Sequence, residues 1–135
     1  MKMMKYGQAI YNQGDIVLVR FPFSDLSSSK IRPVLIISND SYNQKYLDVV
    51  VCGITSNLHP TDYSIFIDQN DLEMGLLKSK SKIKVDAITA LEKSIFLKTI
   101  GKIKTEIMKQ VKDNLLKLID YTNKPLSHSD ECTPN

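Results

Sequence analysis

Short apolar segments, rich in β-branched residues and bounded by turn-forming residues, recur along this chain at intervals of roughly 8–12 residues. They span residues 16–21, 33–38, 47–54, 63–68, 81–89 and 95–103. Residues 104–121 follow, with apolar side chains at the three- and four-residue spacing of an amphipathic helix. Short connections favour antiparallel neighbours. The pattern therefore predicts a mainly β (α+β) fold, a small antiparallel β-barrel or strongly bent sheet closed by a C-terminal helix.

The connections and the two ends complete the predicted organisation. Pro33 is expected at the first position of its strand, residues 39–41 as a turn, and residues 71–75 as one helical turn at most. The chain of 135 residues has room for one domain, which we place at residues 1–121 with an N-terminal arm at 1–12. Residues 122–135 are polar and contain two prolines, which predicts a disordered tail.

Composition and motifs exclude several classes of function. The net charge of +3 is compatible with a polyanionic partner. The sequence lacks the glycine-rich phosphate loops and the His and Cys spacings of zinc sites, so we expect no metal and no cofactor. Cys52 and Cys132 do not form a disulfide framework, and Cys52 is expected to be a buried thiol. Without a secretory signal or a bilayer-spanning run, the protein is expected in the cytoplasm.

Polar residues at strand ends are the candidates for chemistry. Arg32 precedes the stiffening Pro33, where a guanidinium can hold a phosphate through two hydrogen bonds; an ordinary surface ion pair is the alternative. Thr55 and Ser56 end the third strand, where hydroxyls can donate to phosphate oxygens or simply form a turn. His59 follows in the same loop, where a surface histidine without a role is the commoner case.

A row of lysines occupies every second position from residue 78 to residue 84. If the segment is extended throughout, Lys78, Lys80, Lys82 and Lys84 line one face, which would suit a nucleic-acid backbone. The alternative is an edge strand that uses its lysines to prevent aggregation. Asp86 continues the same face beside Lys84, either as a structural ion pair or as an acid–base pair.

The sequence resembles the PemK/MazF-like toxins of bacterial type II toxin–antitoxin systems over about residues 13–120. The resemblance is carried first by residues 14–23, GDIVLVRFPF, and 30–38, KIRPVLIIS. Shorter matches follow in the family's order: ITSN at 54–57, GLLK at 75–78, KVD at 84–86, LEKS at 91–94 and IGKI at 100–103.

The resemblance implies an SH3-like barrel with a C-terminal helix, a homodimer, and a metal-independent endoribonuclease that cuts single-stranded RNA such as mRNA at short sequences. The family's central catalytic pair falls on Arg32 and Thr55. A further Arg-x-Asp pair of some members falls on Lys84 and Asp86, with lysine in place of arginine. The loop at residues 25–29 also differs from the family's usual Gly-Ser-Glu type, so RNA sequence preference does not transfer. The expected RNA contacts are Asp25, Ser29, Lys30, Ser56, Asn57, Lys80, Lys82 and Lys84.

The implied chemistry needs little from the protein, because RNA carries its own nucleophile, the 2′-hydroxyl. Arg32 is expected to neutralise charge on the scissile phosphate, and Thr55 to hydrogen-bond the same group. Either Arg32 or Asp86 could accept the 2′ proton. A cognate antitoxin protein is the expected partner. Two alternatives stay open: a non-enzymatic poison that binds DNA gyrase, and a catalytically inactive nucleic-acid-binding barrel.

Overall fold

The computed structural model describes residues 9–22 and 29–121, with the side chains of Pro22 and Ser29 left out. The predicted arm is therefore described only from residue 9, and the predicted tail, residues 122–135, lies outside the described residues. Two helices, α1 (Asp40–Lys45) and α2 (Thr105–Ile119), and two 3₁₀ turns, Gln69–Asp71 and Lys93–Ile95, accompany the strands. The strands are β1 (Asp15–Pro22), β2 (Ser29–Ile36), β3 (Asp48–Thr55), β4 (Ser64–Ile67), β5 (Leu72–Gly75), β6 (Ser81–Glu92) and β7 (Phe96–Ile103).

The strands form one sheet in the order β4-β6-β3-β2-β1-β7-β5, and every pair in it is antiparallel. The predicted mainly β fold with a C-terminal helix is thereby confirmed. Neither helix within the described ranges has the length and apolar character needed to cross a membrane.

The sheet is buried on both faces at its centre. On one face, Ile65 of β4 and Leu72 of β5, the two edge strands, share a core cluster with Ile107 and Val111 of α2. Edge strands that meet in one cluster require the sheet to curl, so the sheet forms a half-barrel that α2 closes. A second cluster on the other face joins the central strands to Phe96. The continuous apolar run predicted in the third strand reflects this burial on both sides.

A bulge divides β6 into two parts. Gly53 of β3 pairs with Lys84, whereas its neighbour Cys52 pairs with Ile88, so residues 85–87 are extra on the β6 side. Ile83 and Val85 are buried, but Ala87 is exposed, because the bulge interrupts the alternation of β6. The same bulge ends the face on which Asp86 was expected to follow Lys84.

Three local predictions are wrong. Residues 39–41 begin helix α1, because the Asn39 side chain accepts the Tyr42 backbone N–H at 2.8 Å and so caps the helix. Residues 72–75 form strand β5, preceded by a 3₁₀ turn. Pro33 lies inside β2, opposite Leu18 of β1.

Candidate active site

Arg32 and Thr55 lie at an open fork between two neighbouring strands. The β2/β3 ladder has only three pairs and ends at Val34 and Gly53. Continuing its register by two residues places Arg32 opposite Thr55. There, β2 stays paired with β1 and β3 stays paired with β6, so the two strands separate. Pro33 has no N–H to donate to a longer ladder, which favours the separation.

Two cavities open at this fork. The smaller is about 370 Å³ and the larger about 970 Å³. Of the β2 residues that line only one cavity, Val34 lines the smaller, whereas Lys30 and Ile31 line the larger. The residues that line both are Arg32, Pro33, Ile54 and Thr55. The fork is therefore the common wall of the two cavities, and it presents a guanidinium and a hydroxyl to each.

Side-chain hydrogen bonds order the loop between β3 and β4, residues 56–63, which borders the smaller cavity. The Asn57 backbone N–H donates to Thr55 Oγ1 at 3.1 Å, and the His59 backbone N–H donates to Asn57 Oδ1 at 3.0 Å. Because Thr55 Oγ1 already accepts a hydrogen bond, the proton of this hydroxyl is directed elsewhere and can be donated to a ligand. Asn57, His59 and Thr61 all line the smaller cavity.

Lys82 fixes the far side of the same loop. It is the cross-strand partner of Thr55, and its side chain is only 3% exposed. Its Nζ donates to the His59 carbonyl and to Thr61 Oγ1, the second at 3.2 Å. These bonds satisfy a buried ammonium that would otherwise be costly. Hydrogen bonds thus hold the loop at both sides, to Thr55 of β3 and to Lys82 of β6.

The predicted row of four exposed lysines is therefore broken. Strand β6 begins only at Ser81, and Lys82 is buried beneath the loop. Lys78 lines the larger cavity and Lys84 the smaller, whereas Lys80 is exposed and lines neither. Alternation along a strand shows which residues share a face, but it does not show that another segment covers that face.

The larger cavity combines apolar and cationic side chains. Leu18, Ile31 and Leu76 are among its apolar lining residues. Its charged lining residues are Lys30, Arg32, Lys78 and Lys98. Lys98 was not among the predicted site residues, because only the non-local pairing of β7 with β1 brings it here. All charged residues among the described residues lining either cavity are positive.

The structure does not bring Asp86 into the site. Asp86 lines neither cavity; its charge instead acts on Cys52. Burial, and to a smaller extent the charge of the Asp86 carboxylate, raise the pKa of the Cys52 thiol to about 12. The predicted buried thiol is confirmed. Asp86 and Lys84 are thus separated at the site, because the β6 bulge follows Lys84.

The remaining predicted contacts divide between the cavities. Lys30 and Ser56 line the larger cavity, and Asn57 lines the smaller. Asp25 lies outside the described residues, and the side chain of Ser29 is likewise not described. Within residues 9–22 and 29–121, no group of three or more His, Cys, Asp or Glu side chains is placed to hold a metal ion.

Solved structures share the fold at low sequence identity. An endoribonuclease in complex with its cognate antitoxin, from a mycobacterial species, matches with a TM-score of 0.63 and 19% identity, over 85% of this chain and 98% of its own. The Mycobacterium tuberculosis toxin MazF-mt6 matches with a TM-score of 0.65 and 17% identity, over 80% and 98%. A MazE-MazF structure from Deinococcus radiodurans matches with a TM-score of 0.71 and 16% identity, over 84% and 100%.

Sequence comparison assigns the family. No curated protein matches the chain significantly. A family model, that of the PemK-like, MazF-like toxins of type II toxin–antitoxin systems, matches residues 12–119, which is most of the chain. This range contains both walls of the fork and all of the described strands. The chain therefore belongs to the family of PemK-like, MazF-like toxins of type II toxin–antitoxin systems.

Proposed function

We propose that this toxin is an endoribonuclease that cuts single-stranded RNA, including mRNA, at short sequences and without a metal ion. MazF-like toxins are endoribonucleases as a family, and one of the structural relatives above is described as such. The observation that carries the proposal is the fork: Arg32 and Thr55 line both cavities, and every charged lining residue that the structure describes is positive.

The chemistry is an attack by the RNA's own 2′-oxygen on the adjacent phosphorus. Arg32 binds the non-bridging phosphate oxygens and neutralises the charge that grows on them in the transition state. The Thr55 hydroxyl, whose oxygen accepts from the Asn57 amide, donates a hydrogen bond to the same phosphate. The 2′-hydroxyl loses its proton to a base as its oxygen bonds to phosphorus, the bond from phosphorus to the 5′-oxygen breaks, and the departing oxygen takes up a proton. The products are a 2′,3′-cyclic phosphate and a free 5′-hydroxyl.

The two cavities accommodate RNA on either side of the scissile phosphate. In the larger one, Lys30, Lys78 and Lys98 bind backbone phosphates. In the smaller one, Lys84 and the polar groups of the loop at residues 56–63 contact the adjoining nucleotide. Lys82 acts from beneath this loop as a buried support, in contrast to the direct RNA contact expected from the sequence.

We propose that the toxin is a homodimer. Apolar side chains are exposed around the larger cavity, and the most exposed is Leu76, at 76%. Ile31 and Leu97 are also exposed, on β2 and β7. Exposed apolar residues in such proximity favour burial against a second copy in a symmetric interface. Light scattering at micromolar concentration should report twice the monomer mass, and a monomer there would contradict the proposal.

The cognate antitoxin is proposed to inhibit the toxin by occupying the same groove. Two of the structural relatives above were solved with an antitoxin. A flexible acidic and amphipathic segment would pair with the cationic lining and bury the apolar rim. Because the substrate is cellular mRNA, we place the toxin in the cytoplasm. Uncleavable RNA, methylated at its 2′-oxygens, should compete with the antitoxin; binding unaffected by saturating RNA would contradict groove blocking.

The decisive experiment incubates the purified protein with a long single-stranded RNA in EDTA. We expect cleavage, with 2′,3′-cyclic phosphate ends, and no cleavage at a site whose nucleotide lacks the 2′-hydroxyl. An Arg32→Ala sample purified in parallel controls for contaminating ribonuclease. Retention of RNA without cleavage would instead indicate an inactive nucleic-acid-binding barrel, and neither binding nor cleavage would indicate a poison with a protein target.

A further inference from the structure

His59 is the one imidazole among the described residues, and it lines the smaller cavity together with Arg32 and Thr55. The proposed cleavage requires a group that takes the proton from the 2′-hydroxyl. Asp86, one of the two residues to which the sequence left this role open, lines neither cavity. Among the described residues, the charged ones that line the smaller cavity are cations: Arg32 from β2, and Lys82 and Lys84 from β6. Asp62, in the same loop as His59, does not line it.

The backbone of His59 is held on both sides although it lies in a loop. Its N–H donates to Asn57 Oδ1 at 3.0 Å, and its carbonyl accepts from the buried Lys82 Nζ. Asn57 is in turn bonded to Thr55 Oγ1, so the position of His59 is coupled to that of the proposed phosphate-binding hydroxyl. All of these bonds to His59 use its main chain. Its ring is therefore left available to the cavity.

We infer that His59 is the proton-transfer residue of the cleavage reaction, an inference that rests on the proposed ribonuclease function. Neutral imidazole accepts the 2′-hydroxyl proton while the 2′-oxygen forms its bond to phosphorus. The bond from phosphorus to the 5′-oxygen breaks, and the departing oxygen takes a proton from water. The imidazolium then returns its proton to the resulting hydroxide. Imidazole is the side chain best suited to this exchange, because it ordinarily changes protonation near neutral pH.

The buried Lys82 is a positioning residue in this arrangement. Its ammonium holds the carbonyl of His59 and the hydroxyl of Thr61, the two ends of the short segment that carries the ring to the cavity. Lys82→Arg retains a charged donor at this position, so it should keep the dependence of the cleavage rate on pH even where the changed geometry lowers the rate.

Single-turnover cleavage with saturating enzyme, measured across about pH 5 to pH 8.5, tests the assignment. His59→Ala should lower the rate on the order of 10²-fold or more and flatten its rise between acidic and neutral pH. Added imidazole should restore part of the rate. Affinity for RNA methylated at its 2′-oxygens should stay within about twofold, because the variant removes a proton acceptor and retains the cations. Leu58→Ala is the matched control: Leu58 is an exposed neighbour that lines neither cavity, so its rate should match that of the wild type.

Three results would overturn the inference. One is a His59→Ala enzyme that cuts at the wild-type rate. Another is a slow enzyme whose pH dependence is unchanged and which imidazole does not rescue, since this would make His59 a binding or structural residue. The third is an unchanged maximal rate with weaker RNA binding. In each case the wild type still cuts RNA, so the ribonuclease function stands. A wild-type protein that does not cut RNA would instead refute the function and this inference together.

Discussion

Thr55 lies opposite Arg32 at the point where strands β2 and β3 separate, two residues beyond their last pair, Val34 and Gly53. Each residue is supported from its other side, Arg32 by pairing with Val19 of β1 and Thr55 by pairing with Lys82 of β6. A charged group and a hydroxyl are thus held by rigid strands at a gap that would otherwise be closed by sheet hydrogen bonds. Under the proposed function, such positioning on strands preorganises the pair for a phosphate between them.

Replacing Arg32 tests the charged half of this pair. Arg32→Ala should lower the cleavage rate on the order of 10²-fold or more, since removing one preorganised donor to a transition state costs about 3 kcal/mol. Arg32→Lys, which keeps the charge but loses the two-pronged geometry, should retain part of the activity. The thermal midpoint should change little, because the side chain is exposed. Full activity in folded Arg32→Ala would show that Arg32 does not take part in cleavage.

Thr55→Val isolates the hydroxyl, because valine has nearly the same shape. Activity should fall steeply, whereas stability should fall by only about 1 kcal/mol, the usual net value of one hydrogen bond, here that from the Asn57 amide. Thr55→Ser is the matched control, because it keeps the hydroxyl group that accepts from the Asn57 amide and donates to the phosphate. If Thr55→Val unfolds, or if Thr55→Ser is as inactive as Thr55→Val, the assigned role of the hydroxyl is wrong.

The sequence was sufficient to find Arg32 and Thr55 because both stand in short local motifs at strand ends. It was insufficient for Lys98, which reaches the larger cavity only because β7 pairs with β1 across most of the chain. The face of β6 on which Asp86 lies also could not be predicted from the sequence pattern. The alternating residues continue through 85–87, but the partner strand contributes no residues opposite them, so the face changes at the bulge.

Lys98→Ala tests whether the larger cavity binds the RNA backbone. It should weaken binding to uncleavable single-stranded RNA and reduce the slope of log affinity against log salt by about 0.7, the value for one lost phosphate contact. The control is Lys109→Ala, which removes the same charge from an exposed position on helix α2 that lines neither cavity. Equal salt slopes for Lys98→Ala and the wild type would exclude Lys98 from the RNA path.

Residue 75 must be glycine because β5 approaches β7 closely at this point. Its φ is +92°, and a Cβ atom there would lie 2.2 Å from the Ile100 carbonyl oxygen and 2.3 Å from Gly101 Cα. Gly75→Ala should therefore lower the free energy of unfolding on the order of 3 kcal/mol, through backbone strain and overpacking together. Gly53→Ala is the matched control, because its Cβ would meet only Ala87 Cβ at 3.6 Å. Denaturant unfolding that finds the two variants equally stable would contradict this account.

Helix α1 and Lys82 show why local patterns fail even where the relevant residues are conspicuous. The sequence pattern predicts Asn39 as part of a turn, because a six-residue helix is too short to display a helical period. Lys82 alternates correctly with its apolar neighbours, yet the loop at residues 56–63 covers it and takes up its ammonium. Burial of that face is decided by a segment some twenty residues earlier, whose path the strand pattern does not contain.

Asp15 should make stability depend on pH. The residue is 7% exposed, and burial, the largest cause, raises the pKa of its carboxyl above the ordinary 3.8; the Asn12 N–H at 2.9 Å and Lys102 act in the opposite direction. The folded state then binds this proton more tightly than the unfolded state does. The stabilisation from Asp15 is therefore fully present below about pH 3.8 and is lost as the pH rises through the raised folded pKa.

Asp15→Asn removes this titration while keeping an oxygen that can accept from Asn12. The thermal midpoint of the variant minus that of the wild type should consequently increase as the pH rises above about 3.8, and should become constant once the carboxyl of folded Asp15 is ionised. Lys102→Met should move the same change to higher pH, since the Lys102 charge is one of the causes that lower the pKa of Asp15. Melting curves in buffers of equal ionic strength provide the measurement. A difference that stays flat or decreases over this range would show that folding does not raise the pKa of Asp15.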